Sequence, residues 1–237
     1  MKFPPLTDGR IIARYKRFLA DVELPGGEVV TAHCPNTGSM KGCWAPGASV
    51  QLSAADNPKR KLRWTLERVD MGGGWVGVNT ARVNHIIADF IAADAIPSLG
   101  GYEHLDKEPR YHAPGFPNSR FDLLLRGEQR ADCYVEIKNT TLPDGAYICF
   151  PDAVTERGRK HLELLQHAVR QGHRAVLVFA ANRPEGKYFR AASDIDPAYA
   201  ETLKRVRQAG VEIVVVRIRH TETGVEAGGE VPVRLDG

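Results

Sequence analysis

Three side chains near the middle of the 237-residue chain have the types and the spacing for chemistry on phosphates. Asp122 lies in the alternating stretch FDLLLR, and Glu136 and Lys138 lie in the later stretch CYVEIK. Such alternation of apolar and polar residues is typical of β-strands. In a hairpin centred on Gln129, Asp122 would face Glu136 with the two Cβ atoms roughly 5 Å apart. Lys138, two residues further on, would share that face.

This pairing would place two like charges side by side, which strand pairs normally avoid. Mg²⁺ or Mn²⁺ between the carboxylates would remove the repulsion, because these ions prefer carboxylate oxygens and keep some of their waters. A neighbouring lysine could then orient a metal-bound water or stabilise negative charge that develops on a phosphate. The pattern therefore predicts Asp122, Glu136 and Lys138 as catalytic residues, with the two acids as metal ligands.

Spacing alone leaves two alternatives open. A surface hairpin that carries Asp, Glu and Lys can be a solvated face without any chemistry. A shift of the strand register by one residue would also separate the two carboxylates, because it would send them to opposite faces of the sheet.

The composition is that of an ordinary globular protein, with 43% apolar and 26% charged residues. The four cysteines, Cys34, Cys43, Cys133 and Cys149, are widely spread and form no CxxC pair. We therefore expect reduced structural thiols rather than disulfides or zinc ligands. No apolar stretch approaches the length of a membrane span, and the first residues, MKFPPLTDGR, lack the apolar core of a signal peptide. These features predict a cytoplasmic protein without a membrane partner.

The first third of the sequence has the pattern of a small all-β domain, which we place at residues 1–82. Short alternating stretches are separated there by turns rich in Gly, Pro and Asn. The predicted strands span residues 10–24, 28–33, 48–53, 62–69 and 75–79. Five short antiparallel strands in about eighty residues predict a five-stranded OB-like barrel.

Basic residues are concentrated in this part of the chain, since residues 1–84 carry 12 Lys and Arg against 7 Asp and Glu. OB barrels often bind nucleic acid through basic and aromatic side chains. Lysines that only protect an exposed strand edge would give a similar composition, so that alternative stays open. The candidate nucleic-acid-binding residues are Arg17, Lys59, Arg60, Lys61, Arg63 and Trp64.

Residues 83–237 have the pattern of a second domain with mixed α/β order. Helices are predicted at residues 85–95 with Asn84 as the cap, from Asp152 to Gly172, and at residues 197–209. Besides the hairpin, strands are predicted at residues 102–112, 175–181, 211–218 and 231–235. The order αβββαβαβ predicts a mixed sheet flanked by helices, and hence an α+β fold for the whole chain.

The start of the second predicted helix is strongly charged. Glu156, Arg157 and Lys160 fall in its first turns, where the positive end of the helix favours anions. Arg157 or Lys160 could hold a phosphate there, although Glu156 and Lys160 also have the spacing of an ordinary surface ion pair. Gly158 within the helix indicates a close approach of another element.

Four segments together resemble the sugar fermentation stimulation protein family: HCPNTGSM (33–40), SRFDLLL (119–125), YVEIKNTTL (134–142) and FPDAVTERGRKHL (150–162). The order of elements around Asp122, Glu136 and Lys138 also resembles the PD-(D/E)xK nuclease superfamily. The departure is that no Pro-Asp pair occurs at Asp122.

The resemblance implies an N-terminal OB-like domain, a restriction-endonuclease-like C-terminal domain and DNA as the partner. It further implies that Asp122 and Glu136 bind Mg²⁺ or Mn²⁺ and that Lys138 is the catalytic lysine. Glu108 and Glu156 match acidic positions that support such a site.

Three functions are consistent with these observations. The first is a metal-dependent DNA nuclease, and the second is a non-catalytic DNA-binding regulator of sugar (maltose) metabolism genes. No sequence-reading helix is evident, which disfavours the second. The third is an enzyme acting on sugars through His33, Cys34 or Ser39, for which no helper base is evident at a known spacing. The preference for single- or double-stranded DNA and the oligomeric state are not predicted.

Overall fold

A computed structural model describes residues 1–57 and 59–235, and the chain begins with a closed five-stranded barrel. Its strands are β1 (Leu6–Tyr15), β2 (Leu19–Glu23), β3 (Val29–His33), β4 (Ser49–Ala54) and β5 (Trp64–Asp70). β1 pairs antiparallel with β2 and β4, β5 pairs with β4, and a parallel pairing of β3 with β5 closes the ring. Alternate residues such as Ile11, Val22 and Leu66 point inward and are fully buried. The predicted OB-like barrel is confirmed.

The strand predicted at residues 10–24 is wrong, because the chain turns back within it. Lys16 and Arg17 form a tight turn between β1 and β2, with φ values of 49° and 66°. Such turns usually contain Gly or Asn, so this one gives no sequence signal. The additional strand β6 (Trp75–Gly77), predicted as the fifth of the barrel, pairs with β5 outside the closed ring.

The rest of the described chain forms helices on a mixed sheet. The helices are α1 (Thr80–Ala92), α2 (Glu156–Arg170) and α3 (Pro197–Gln208). The strands are β7 (His104–Lys107), β8 (Arg110–Tyr111), β9 (Ser119–Arg120), β10 (Leu123–Gly127), β11 (Arg130–Thr140), β12 (Leu142–Asp144), β13 (Tyr147–Phe150), β14 (Arg174–Ala181), β15 (Tyr188–Ala191), β16 (Glu212–His220) and β17 (Val225–Glu230).

The main sheet has the order β17-β16-β14-β11-β10-β7, with β11, β14 and β16 parallel to one another. Side chains of β14 alternate between the two faces, as expected for a strand buried on both sides. Leu177 and Phe179 pack in the core that includes α2 and α3, whereas Val176 and Val178 pack in the core that includes α1. The predicted mixed sheet flanked by helices is confirmed.

Two predicted helix starts are wrong. α1 begins at Thr80 because the side chain of Asn79 accepts a hydrogen bond from the Ala81 amide, so Asn84 lies inside the helix rather than capping it. The predicted domain boundary, between residues 82 and 83, therefore lies within α1. The division into these two domains stays a prediction. Thr155, not Asp152, caps α2 by accepting a hydrogen bond from the Gly158 amide. A Cβ atom on Gly158 would lie 3.1 Å from Tyr199 Cε2, which is the close approach that the sequence indicated.

The strand predicted at residues 102–112 is wrong, because the chain breaks at Glu108, with a φ of 52°, between β7 in the main sheet and β8, which pairs with β9. The sequence analysis also missed a small sheet of the order β12-β13-β15. It also placed the last strand too late, because β17 ends at Glu230 and, of residues 231–235, Val233 alone forms a bridge, to Phe189. Within residues 1–57 and 59–235, no helix combines the length and the apolar character that crossing a membrane requires.

Arg68 of β5 joins the barrel to the turn that follows β16, and His220, the last residue of β16, lies close to it. Arg68, 1% exposed, donates hydrogen bonds to the carbonyl oxygens of Thr221 (2.7 Å) and Glu222 (3.1 Å). His220 donates from Nε2 to Asn182 Oδ1 at 2.7 Å. Burial and the positive charge of Arg68 lower the pKa of His220 to about 3. The imidazole is therefore neutral in the folded protein at physiological pH.

This burial makes stability depend on pH. His220 stays neutral when folded but takes up a proton below about pH 6.5 when unfolded, so stability is complete above that pH and falls as the pH is lowered. Between pH 7 and pH 5 we expect this group to remove about 2 kcal/mol from the free energy of unfolding. His220→Gln keeps a donor for Asn182 and cannot be protonated. In urea titrations at both pH values, this variant should lose about 2 kcal/mol less than wild type.

The exposed His104 supplies the control. His104→Gln should lose as much stability as wild type between the two pH values. An equal loss in wild type and His220→Gln would contradict the role given to His220.

Candidate active site

The hairpin of β10 and β11 has the predicted register. Leu123 pairs with Val135 and Leu125 pairs with Cys133. Asp122 directly precedes β10, and its amide donates to the Val135 carbonyl at 3.1 Å. The register therefore brings Asp122 beside the segment of β11 that carries Glu136 and Lys138.

Asp122 is held by one hydrogen bond to each carboxylate oxygen. The Ile137 amide donates to Oδ2 at 2.6 Å, and Asn84 Nδ2 of α1 donates to Oδ1 at 2.7 Å. Asn84, which was predicted to cap α1, therefore orients the Asp122 carboxylate instead. Both donors are neutral, so the charge of Asp122 is oriented but not balanced by them.

Glu136 is 2% exposed and points toward α2, because its neighbours Val135 and Ile137 point toward α1. Its Oε1 accepts hydrogen bonds from Lys138 Nζ at 2.6 Å and from His161 Nδ1. Its Oε2 is buried and has no hydrogen-bond partner among the residues that the structure describes. One oxygen of this buried carboxylate is therefore satisfied twice and the other is left free.

His161 is the functional residue that the sequence analysis missed. It lies in the second turn of α2 and contacts Glu136, 25 residues earlier in the chain. Arg157 Nε donates to His161 Nε2 at 3.4 Å, which leaves the Nδ1 proton to be donated to Glu136. A signal was available, since His161 adjoins the buried Leu162 and lies one turn after Gly158, the position where a close approach was expected.

The pKa values of Asp122 and Glu136 are shifted in opposite directions. Burial, together with the charge of Glu136, raises the pKa of Asp122 to about 6. Burial alone would also raise the pKa of Glu136, but the Lys138 ammonium and the His161 ring hold it below its ordinary value. The pair therefore has one firmly ionised member and one that gains a proton readily, which marks a site that would accept more positive charge.

These features fit a divalent cation bound by two carboxylates. The unpaired Oε2 of Glu136 is an available ligand atom, and a cation would also relieve the repulsion that raises the pKa of Asp122. Across residues 1–57 and 59–235, no cluster of three or more His, Cys, Asp or Glu side chains could hold a metal. Mg²⁺ commonly binds through one or two carboxylates while keeping several waters, so two acids are sufficient.

The other predicted site residues of this domain lie around the centre rather than in it. The amide of Glu108 donates to the Asp122 carbonyl at 2.9 Å, but the Glu108 side chain is 72% exposed and pairs with Arg120. Glu156 and Lys160 are exposed on the first turns of α2. Among these residues, only Arg157 reaches the centre, through His161.

The predicted basic residues of the barrel gather on two neighbouring loops. Arg17 is in the β1–β2 turn, and Trp64 begins β5. Lys59, Arg60, Lys61 and Arg63 lie between β4 and β5 and are exposed. Both loops lie at the end of β3, because the Cys34 amide donates to the Phe18 carbonyl at 2.8 Å and Arg60 Nη2 lies 3.2 Å from His33 Nδ1. They therefore form one basic surface at one end of the barrel.

The loop HCPNTGSM attaches this end of the barrel to the second domain. Ser39 donates to Asp152 Oδ2 from its amide (3.0 Å) and its hydroxyl (2.9 Å), and Thr80 Oγ1 donates to the Pro35 carbonyl at 3.2 Å. Cys34 is fully buried, and burial raises the pKa of its thiol. The contacts explain this loop as a connection between the domains.

The loop also brings the barrel close to the candidate centre. Cys43 Sγ donates to the Thr141 carbonyl at 3.5 Å, and Thr141 follows Lys138 by three residues. Three residues of extended chain span roughly 10 Å. The contact between the barrel and β11 therefore lies within roughly 10 Å of Lys138.

Two models of known protein families match successive parts of the chain. The family model described as the SfsA N-terminal OB domain matches residues 12–78, and the model described as the sugar fermentation stimulation protein RE domain matches residues 81–224. The sugar fermentation stimulation protein homolog of Geotalea uraniireducens is 46% identical over 236 residues, which cover 99% of this chain and 100% of that protein. The homolog of Geobacter sulfurreducens is 48% identical over 229 residues, or 97% and 96% of the two chains.

A solved structure agrees along nearly the whole length. Pyrococcus furiosus SfsA, in complex with Ca²⁺, superposes with a TM-score of 0.88 and 27% identity, over 99% of this chain and 98% of that one. Both domains and their order are therefore shared with these relatives. The chain belongs to the sugar fermentation stimulation protein family.

Proposed function

We propose that this protein binds DNA and hydrolyses its phosphodiester bonds with a divalent cation held by Asp122 and Glu136. The observation that carries the proposal is the unpaired, buried Oε2 of Glu136 in a site where burial and Glu136 raise the pKa of Asp122. The Pyrococcus furiosus relative was solved in complex with Ca²⁺, which supports an oxygen-lined cation site in this family.

The cation, Mg²⁺ or Mn²⁺ in this proposal, would polarise a phosphate oxygen and lower the pKa of a bound water. The protein supplies orientation. Asn84 and the Ile137 amide fix the Asp122 carboxylate, while Lys138 and His161 fix Oε1 of Glu136. Oε2 of Glu136 is left as the ligand atom.

Lys138 has a second role in this proposal. Its ammonium carries three N–H donors, and one of them is directed to Glu136 at 2.6 Å. The side chain is 17% exposed, so the remaining donors can reach a water or a phosphate oxygen. A fixed positive charge at that place would stabilise the negative charge that develops during phosphodiester hydrolysis.

The basic end of the barrel supplies DNA affinity in this proposal. Its exposed lysines and arginines can contact phosphates without reading bases, and Trp64 offers a ring for stacking. The three helices each pack an apolar face in the cores of the second domain. This arrangement favours binding without strict sequence preference, followed by cleavage.

Substitution of Lys138 separates cleavage from binding. Lys138→Gln keeps a hydrogen-bond donor for Glu136 but removes the positive charge. We expect the DNA cleavage rate with Mn²⁺ to fall by about 100-fold or more, while the dissociation constant for DNA in EDTA changes by less than about threefold. Lys204→Ala, an exposed lysine on α3, is the control and should cleave like wild type. Unaltered cleavage by Lys138→Gln would show that this lysine has no catalytic role.

Cation binding should weaken in acid. The pKa of Asp122 is about 6, so below that pH a proton competes with the cation for this carboxylate. Mn²⁺ should therefore raise the melting temperature more at pH 7.5 than at pH 5, with affinity falling about tenfold for each pH unit below 6. Thermal unfolding across a Mn²⁺ titration at each pH measures this. An equal rise at both pH values would contradict Asp122 as a ligand.

Loss of the barrel charges should reduce the salt dependence of DNA binding. Lys59→Ala/Lys61→Ala removes two candidate phosphate contacts, so the slope of log Kd against log salt should fall by about 2. Lys204→Ala/Arg207→Ala removes the same charge from exposed positions on α3 and should leave the slope unchanged. Equal slopes for the two double variants, measured by fluorescence anisotropy, would remove the barrel loops from the DNA interface.

A further inference from the structure

Tyr199 carries a second unpaired polar group beside the candidate centre. The residue lies in the first turn of α3 and is fully buried. Its hydroxyl has no hydrogen-bond partner among the described residues. A phenylalanine would fill the same space without the desolvation cost of an unpaired hydroxyl. We therefore expect the hydroxyl to form a hydrogen bond with a group other than the surrounding side chains.

Neighbouring elements bring Tyr199 to the Glu136 side of the sheet. Gly158 and His161 lie three residues apart on α2 and so share one face of the helix. A Cβ atom on Gly158 would lie 3.1 Å from Tyr199 Cε2, whereas His161 contacts Glu136. The Tyr199 ring therefore packs under the first turn of the same helix that holds Glu136.

Asp196 fixes this position from the other side. It caps α3 by accepting a hydrogen bond from the Tyr199 amide at 2.9 Å, and it also accepts one from the Thr155 amide, at the start of α2, at 2.8 Å. Arg159 Nη1 donates to the same carboxylate at 3.2 Å. The starts of α2 and α3 are thus joined, so the ring of Tyr199 has little freedom to move away.

The two unpaired atoms are complementary. Glu136 Oε2 can only accept hydrogen bonds, and the Tyr199 hydroxyl can donate one. Burial, together with the charge of Glu136, raises the pKa of Tyr199, which keeps the phenol protonated and able to donate. Buried polar groups that lack a protein partner are the usual sites of structural water.

We propose that Tyr199 is a positioning residue for the cation centre and that its hydroxyl is linked to Glu136 Oε2 through one buried water. The inference rests on the proposed function, because it assigns a purpose to the orientation of Glu136. A carboxylate oxygen has two lone pairs, so Oε2 can accept this water and still bind a cation. With Oε1 held by Lys138 and His161, the carboxylate is then fixed at both oxygens.

The substitution Tyr199→Phe tests this link without DNA cleavage as the readout. Calorimetric titration of the full chain with Mn²⁺ gives the cation dissociation constant, and thermal unfolding without cation reports on the fold. We expect the dissociation constant to rise about tenfold, as is usual when a residue that supports a metal ligand is lost. The melting temperature of the cation-free protein should change by no more than a few degrees, because phenylalanine fills the same space and only one water-mediated hydrogen bond is lost.

Two further variants make the result specific. Tyr111→Phe removes a buried hydroxyl from the same core, but that hydroxyl bonds to His167 at 2.8 Å and should leave Mn²⁺ affinity unchanged. Glu136→Gln should abolish Mn²⁺ binding. A dissociation constant equal to wild type in Tyr199→Phe would overturn the role of Tyr199 alone. Wild-type binding that persists in Glu136→Gln would instead overturn the proposed function.

Discussion

The burial of the Glu136 carboxylate is the constraint on which the candidate centre depends. An uncompensated charge at this depth would cost several kcal/mol, so its surroundings must supply positive charge and donors. Lys138 supplies charge from the same strand, and His161 supplies a donor from α2. The packing of α2 on the sheet and the arrangement of the centre are therefore coupled: a shift of that helix would leave the carboxylate without part of its compensation.

The same constraint relates the two domains. β11 carries Glu136 and Lys138 and continues to Thr140, and the next residue, Thr141, receives a contact from the barrel through Cys43. Asp152, shortly before α2, is bound by Ser39 of the barrel. The barrel is thus attached to both segments that position the centre, which keeps its basic loops at a defined distance from the paired carboxylates.

Local patterns predicted what depends on local geometry. Alternation along two short strands was enough to predict the register that brings Asp122 beside the segment of β11 carrying Glu136 and Lys138. The tight turn at Lys16 and Arg17 was not predicted, because neither of these left-handed residues is a glycine or asparagine. The role of His161 arises from helix packing across 25 residues, so the local signal at Gly158 indicated a close approach but not the contact with Glu136.

The presence of a cation between the two carboxylates is the central claim, and a crystal structure of the protein grown with Mn²⁺ tests it most directly. Anomalous diffraction identifies the metal independently of the protein coordinates. We predict a strong peak within about 2.5 Å of a carboxylate oxygen of Asp122 and of Oε2 of Glu136. Carboxylates without a peak, in crystals soaked at saturating Mn²⁺ and at a pH above the pKa of Asp122, would contradict the account.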